Sequence, residues 1–160
     1  YFSTYSYINF FLNNIFFKKM INILLLINIL YLSFWIIKNH PHQNNFFNIF
    51  QSYSKEQNFD LDYWGLSNYY ALKKILDIDQ RDKISVSSVS FTDLNVSLLK
   101  FRPDKRKKIE VIYNYEKADY LINNYMKRPR QNFIIDDEKY TKIYQLYVDK
   151  NLVNSLFKKK

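Results

Sequence analysis

Two pairs of side chains in this sequence are suited to bind a metal ion or to move a proton. His40 and His42 flank Pro41. Asp60 and Asp62 are likewise separated by one residue. Imidazoles and carboxylates are common metal ligands, and two carboxylates on one side of a strand can act as general acid and base. The chain has neither the helical HExxH spacing nor a calcium-loop pattern. We therefore interpret the histidines as an interfacial turn and the aspartates as a solvated strand edge or a cap, and we expect no metal.

The composition argues against several classes of enzyme. The chain of 160 residues contains no cysteine and a single glycine. Without cysteine there are no disulfides, thiolate zinc sites or cysteine nucleophiles, which disfavours a redox role. One glycine cannot form a loop that cradles phosphates, and no Ser/His/Asp arrangement has a recognisable spacing. We expect no catalytic residue and no cofactor in this chain.

The single glycine lies in the segment that runs from Phe59 to Ser67 and contains Asp62, Tyr63, Trp64 and Gly65 in succession. A chain so poor in glycine keeps one where the backbone needs a positive φ or close packing. Ser67 is the predicted N-cap of a helix whose apolar residues recur at helical spacing. Trp64 is interpreted as a packing anchor, with a platform for stacking a sugar as the alternative. Gly65 and Ser67 are therefore predicted to have structural roles.

An apolar stretch precedes this segment and is long enough to cross a membrane. Met20 to Ile37 contains no charged residue, and as a helix it would extend roughly 27 Å. The predicted transmembrane helix covers residues 18–38, and its polar residues Asn22, Asn28 and Ser33 favour packing against neighbouring helices. The alternatives are a buried helix of a soluble core and a signal peptide. The signal peptide is disfavoured because no small-residue cleavage site follows.

The flanking residues predict how the helix is oriented. Lys18 and Lys19 precede the uncharged stretch from Met20 to Ile37 and Lys38 follows it, so the N-terminal side is expected in the cytoplasm. Residues 39–160 would then form an extracytoplasmic domain on the periplasmic side of a bacterial inner membrane. The chain starts at Tyr1, and its first seventeen residues carry no charge. We read residues 1–17 as the end of a preceding membrane or interfacial segment and expect the chain to be part of a longer protein.

The pattern after residue 60 predicts a mixed α/β domain. Helical spacing of Ala71, Leu72, Ile75 and Leu76 is followed by a Ser/Val-rich strand from 84 to 91 and a helix from 93 to 101. Short strands are predicted at 109–113 and 120–122. Two alternating segments, 143–148 and 152–157, form a predicted terminal hairpin. Helices interspersed among strands indicate a mixed α/β layer rather than a helical bundle.

The net charge of +9 points to an anionic partner. Basic clusters lie at 102–108, 127–130 and 158–160, with tyrosines nearby. Such clusters suit either nucleic acid or the head groups of a membrane surface. Because clusters in loops and at chain ends are commonly just solvated charge, we favour membrane lipid and expect no nucleic acid. A membrane-attached or organellar ribosomal module that contacts nucleic acid is the alternative.

Several segments resemble one family of membrane enzymes. They are His40 to Gln43, Phe46 to Asn48, Phe59 to Ser67 with Asp62-Tyr63-Trp64-Gly65 as the most specific part, Ala118 to Tyr125, and the closing strand pair. Together they look like the C-terminal part of bacterial integral-membrane glycosyltransferases, relatives of the dolichyl-phosphate-mannose protein mannosyltransferases (GT-C type). The resemblance runs from about residue 20 to 160, with His42 standing where an aromatic residue is expected.

The resemblance implies a polytopic parent that transfers a sugar from a polyprenyl-phosphate donor to an acceptor outside the cytoplasm. In that family the catalytic carboxylate lies in an early external loop, so this chain would supply the last span and an accessory domain. Its implied partners are the remaining transmembrane helices of the parent and the polyprenyl-phosphate-linked sugar. The candidate substrate-binding residues are His40, Gln43, Asp62 and Trp64.

Overall fold

The computed structural model describes residues 14–45, 60–126 and 134–160. The chain divides into two compact units, Tyr1–His40 and Pro41–Lys160. The described part of the first is a long helix, and the described part of the second is an α/β domain. Some predicted features lie outside the described residues: most of the segment 1–17, the linker from 46 to 59 and the basic cluster at 127–130.

Helix α1 spans Ile15–Lys38. Asn14 caps its N-terminus, since the side-chain oxygen accepts hydrogen bonds from the backbone N–H groups of Phe16 at 2.9 Å and Phe17 at 3.4 Å. At about 1.5 Å per residue, its 24 residues extend roughly 36 Å. Exposed apolar side chains cover every side of α1. By length and composition, the helix could cross a membrane.

The predicted span lies within α1, which begins earlier than expected. Lys18 and Lys19 lie inside the helix and not at its start, because Asn14 provides the cap. A lysine near the end of an apolar helix can extend its stem along the helix and keep its ammonium group in water. Two lysines in the first turns are therefore compatible with a membrane helix.

The second unit is built on a five-stranded sheet. Its strands are β1 (Ile84–Ser88), β2 (Ile109–Val111), β3 (Tyr120–Asn123), β4 (Tyr140–Val148) and β5 (Asn151–Lys159). Its helices are α2 (Leu66–Ile78), α3 (Leu94–Leu98) and α4 (Pro103–Arg106), with 3-10 turns at Gln43–Asn45 and Tyr115–Lys117. The predicted mixed α/β class is confirmed.

The strands lie in the spatial order β2, β1, β3, β5, β4. Strand β1 is parallel to β2 and β3, whereas β5 is antiparallel to β3 and β4. Parallel neighbours need crossover connections, and α3 and α4 lie in the one from β1 to β2. Strands β4 and β5 form the predicted hairpin, whose turn residues Asp149 and Lys150 both have positive φ.

Two hydrophobic clusters cover the two faces of the sheet. One packs α2 and α3 against the sheet and includes Ala71, Leu72, Ile75, Leu94, Leu98, Ile84, Val86, Ile122 and Leu156. The other includes Val89, Ala118, Leu121, Tyr140 and Phe157. Neighbouring strand residues such as Leu121 and Ile122 belong to different clusters because side chains alternate between faces. The β1–β2 connection thus packs on one face, and Ala118 of the β2–β3 connection packs on the other.

The helix start differs from the prediction. Ser67 as N-cap is wrong, because α2 begins at Leu66 and Gly65 occupies the cap position with φ 63°. Residues 61–64 form a turn, so Asp60 and Asp62 do not share one side of a strand. Asp60 is exposed, whereas Asp62 is buried. The predicted positive φ of Gly65 is confirmed, and that conformation is what turns the chain into α2.

Candidate functional site

The turn at residues 61–64 meets the start of α2 at the edge of the sheet where β1 and β3 end. The backbone N–H of Gly65 donates to the carbonyl of Asp62 at 2.9 Å and closes the turn. A Cβ on Gly65 would lie 3.0 Å from Asn68 Nδ2 and 3.0 Å from Thr92 Cβ. Glycine is therefore required both by its positive φ and by the close approach of these two side chains.

The Asp62 carboxylate is buried beneath this turn, with 1% of the residue exposed. It accepts hydrogen bonds from the Ser67 hydroxyl at 2.5 Å and the Ser67 backbone N–H at 3.2 Å. Asn124 Nδ2 donates to the carboxylate at 3.1 Å and to the backbone carbonyl of Asp62 at 2.9 Å. Burial raises the pKa of the Asp62 carboxyl, and the hydrogen bonds from Ser67 and Asn124 oppose that rise.

The network continues from Ser67 into β5 and the loop after β1. Asn154 Nδ2 donates to Ser67 Oγ at 2.7 Å and to Asn68 Oδ1 at 3.1 Å. Asn68 Nδ2 in turn donates to Thr92 Oγ1 at 2.9 Å. Asn154 Oδ1 is buried and accepts no hydrogen bond from any residue that the structure describes. The network joins the start of α2 to three separate parts of the sheet edge, which fixes the turn in place.

Tyr63 and Trp64 are the side chains that this turn presents to solvent. Their exposed fractions are 53% and 74%, and the two rings meet edge to face with centroids 5.1 Å apart. Trp64 as a packing anchor is therefore wrong. The carboxylate of Asp62 is closed off from solvent, so it acts as a structural anchor for the turn and not as an accessible acid or base. At this turn, the surface that remains accessible to a ligand is the aromatic pair.

The other predicted site residues lie on the chain that follows α1. His40 is exposed, and Gln43 is half-buried at the start of a 3-10 turn. His42 is buried, and its ring lies 5.8 Å from that of Tyr70 on α2. Asn44 Nδ2 donates to the carbonyl of Leu61 at 3.3 Å, which ties this segment to the turn. The candidate substrate-binding roles of His40, Gln43 and Trp64 stay predictions, as does that of Asp62, although its carboxylate is buried and hydrogen-bonded beneath the turn.

Within the described ranges, no three histidine or acidic side chains come together in a way that could hold a metal ion. The basic cluster at 102–108 includes α4, whose first residue Pro103 suits a helix start. Arg102, Lys105 and Lys107 there are exposed. Its charge is thus available to an anionic surface.

A second polar cluster lies at the opposite end of the sheet. Arg81 pairs with Asp79 at 2.7 Å and with Asp119 at 3.4 Å. The Tyr120 hydroxyl also donates to Asp79, at 3.0 Å. The hydrogen bond from Arg81 lowers the pKa of Asp79 to about 2, and burial together with Asp79 raises the pKa of Tyr120 to about 12. The cluster ties the end of α2 to β3 and is a structural ion pair.

Sequence patterns did not identify Asn68, Asn124 or Asn154 as members of the buried network. Asn154 and Ser155 interrupt the apolar run of β5, and both are fully buried. Buried amides require partners, so a polar pair inside an apolar strand is a signal that a polar network faces it. That signal predicts a polar network but does not predict which residues of other elements form it.

No protein family matches the chain, and neither does any characterised protein or solved structure.

Proposed function

We propose that this chain is the C-terminal part of a polytopic membrane glycosyltransferase that transfers a sugar from a polyprenyl-phosphate donor. In this proposal α1 is the last membrane span in a bacterial inner membrane. The α/β domain is an accessory domain on the periplasmic, acceptor side, and this part of the protein supplies no catalytic residue. Its partners are membrane lipid, the remaining transmembrane helices and the lipid-linked sugar.

The polar residues of α1 support packing within a larger membrane protein. Asn22, Asn28 and Ser33 are all exposed on this otherwise apolar helix. Hydrocarbon offers no hydrogen-bond partners, so polar side chains in a span favour positions against other helices. A lone anchor would leave these three groups in lipid, whereas neighbouring helices of a parent protein would satisfy them.

The observation that carries the accessory role is the rigidly held turn with its exposed aromatic pair. Burying a carboxylate is costly, and an apolar residue would fill the space under the turn more cheaply. Asp62 nevertheless occupies it, bonded to Ser67 and Asn124. The benefit of this arrangement is a fixed orientation for Tyr63 and Trp64. Fixed, exposed aromatic rings suit a surface that binds the acceptor or rests in the head groups.

Cysteine accessibility tests the orientation, since this region has no cysteine of its own. Lys18→Cys and Lys100→Cys each introduce one exposed thiol, on opposite sides of the span. In intact spheroplasts, a membrane-impermeant maleimide should label position 100, and position 18 should react only after lysis. Labelling at 18 alone in intact spheroplasts would contradict the periplasmic location and favour the alternative, a cytoplasmic module that contacts nucleic acid.

The reading frame that includes this region should encode further hydrophobic spans and an acidic first external loop upstream of Tyr1.

Sugar transfer by the parent protein tests the accessory role. In membranes, Trp64→Ala should reduce transfer from a polyprenyl-phosphate sugar about tenfold, the effect of losing a contact of about 1–1.5 kcal/mol. Tyr147→Ala, an exposed aromatic on β4, is the matched control and should leave transfer unchanged. Full activity of Trp64→Ala would contradict the role.

A further inference from the structure

A second surface feature lies at the carboxyl ends of β1 and β2. It is a crevice of about 230 Å³ whose lining includes Ser87, Ser88, Phe91, Thr92, Asp93 and Tyr113. In open α/β sheets, ligands bind beyond the carboxyl ends of parallel strands where connections leave toward opposite faces. The connections that leave the carboxyl ends of β1 and β2 pack on opposite faces of the sheet here, so the crevice occupies that kind of position.

The strand ladders explain why a crevice forms here. The ladder between β1 and β2 ends at Val86 and Val111. The ladder between β1 and β3 continues to Ser88 and Ile122. The last residues of β1 consequently have no strand partner on the β2 side. A strand edge without a partner presents backbone N–H and C=O groups that a ligand can use.

Three side chains add hydrogen-bonding capacity to the crevice. Ser87 is 1% exposed, and its hydroxyl makes no hydrogen bond with any described residue. Thr92 Oγ1 accepts from Asn68, which leaves its own O–H free to donate. Asp93 Oδ1 accepts two hydrogen bonds from Asn95, and Oδ2 accepts none from the described residues. A serine hydroxyl without a protein partner can pair with a ligand or with water.

The charge and the rim of the crevice narrow the class of ligand. Among the described residues of the lining, Asp93 is the only charged one, although the whole chain carries +9. A carboxylate in the lining disfavours phosphate and other anions. Phe91 and Tyr113 stand at the rim with exposed fractions of 57% and 87%. Their rings offer an apolar wall beside a floor of hydroxyl, carboxylate and backbone groups.

We propose that this crevice binds a neutral polyhydroxylated ring, a single sugar unit. A pyranose has an apolar face of C–H groups that packs on an aromatic ring and a rim of hydroxyls that pair with Ser, Thr and carboxylate oxygens. The volume of about 230 Å³ is smaller than the roughly 300–1,000 Å³ of sites for drug-sized ligands, which suits one ring. The lining of this crevice does not include Tyr63 or Trp64. The proposal of a sugar site therefore does not depend on the proposed parent enzyme.

Ligand binding to the full chain in lipid nanodiscs tests the site. Glucose, galactose, mannose and N-acetylglucosamine are titrated one at a time and followed by saturation-transfer NMR, with inorganic phosphate as the anionic comparison. At least one sugar should bind saturably with a millimolar Kd, and phosphate should not bind there. Phe91→Ala should weaken the sugar at least about fivefold, as expected for loss of one aromatic contact.

Two further variants separate recognition from folding. Asp93→Asn removes the charge but keeps an N-cap residue for α3, so it should weaken binding while the domain stays folded. Tyr147→Ala removes an exposed ring on β4 and should leave the affinity unchanged. Absence of saturable sugar binding, binding of phosphate alone, or equal affinity of wild type and Phe91→Ala would each overturn the proposal. None of these results depends on the membrane-orientation test, so the two proposals fail separately.

Discussion

Replacing Gly65 with alanine perturbs the point where the exposed turn enters α2. The change adds one methyl group to a residue at φ 63°, a left-handed conformation that residues with a Cβ rarely adopt. The new Cβ would lie 3.0 Å from Asn68 Nδ2, 3.0 Å from Thr92 Cβ and 3.2 Å from Thr92 Cγ2. Asn68 is fully buried in the polar network and has little freedom to move aside.

The expected cost has two components. Left-handed backbone costs a residue with a Cβ about 1–2 kcal/mol. Overpacking of a filled site adds about 1–3 kcal/mol. Together they predict a loss of about 2–5 kcal/mol, against the roughly 5–15 kcal/mol by which small domains are stable. A loss of 2 kcal/mol corresponds to a decrease in Tm of about 8 °C for a domain of this size.

The assay is urea and thermal unfolding of the full chain at a fixed detergent concentration, followed by circular dichroism and by tryptophan emission. Gly65→Asn is the matched variant, because asparagine tolerates the left-handed conformation better than alanine does but has the same Cβ. If both backbone and contacts matter, Gly65→Asn should be destabilised, but less than Gly65→Ala. Free energies of unfolding for Gly65→Ala within about 0.5 kcal/mol of wild type would refute the reasoning.

Three further predictions concern charge and turn geometry. Burial raises the pKa of Asp62 above the ordinary value of 3.8, so the contribution of Asp62 to stability is full below pH 3.8 and is lost as the pH rises through the raised pKa. Urea unfolding from about pH 4 to 8 should therefore show declining stability in wild type but not in Asp62→Asn. Identical pH profiles for the two proteins would contradict this prediction. Asp79 has the opposite sign, since its pKa is lowered to about 2. Asp79→Asn breaks the pair with Arg81 and should reduce the free energy of unfolding by about 1 kcal/mol at pH 6 but hardly at all at pH 2. Equal losses at both pH values would exclude the ion pair as the cause. Lys150 has φ 69°, so Lys150→Gly should stabilise the β4–β5 hairpin by about 0.5–1 kcal/mol in thermal unfolding, and a lower Tm would count against the turn geometry.

Local patterns predicted the elements of this protein well. The apolar helix, the strand at Ile84–Ser88, the terminal hairpin and the positive φ of Gly65 all follow from composition, periodicity or backbone restriction within a few residues. The start of α2 was less predictable. A serine in the first turn of a helix has the appearance of a cap, yet the Ser67 hydroxyl donates to the carboxylate of Asp62, five residues earlier in the chain.

The role of each residue near the turn required the tertiary structure. A tryptophan is typical of a protein core, but the turn directs Trp64 to solvent because Asp62 occupies the space beneath the turn. The partners of Asp62 and Ser67 include Asn124 and Asn154, which lie 62 and 87 positions further along the chain. A local sequence pattern cannot predict contacts between residues so far apart in the chain, because the order of strands in the sheet determines them.

The sequence by itself determined that an apolar helix precedes an α/β domain, because helix length, hydrophobicity and alternation are properties of consecutive residues. The tertiary structure decided which polar groups are satisfied and which remain for a ligand. Ser67 and Ser87 are both buried serines. One is bonded within the network, whereas the other lines a crevice that exists only because the β1–β2 ladder ends before β1 does. Strand pairing between distant segments is the physical reason for that difference.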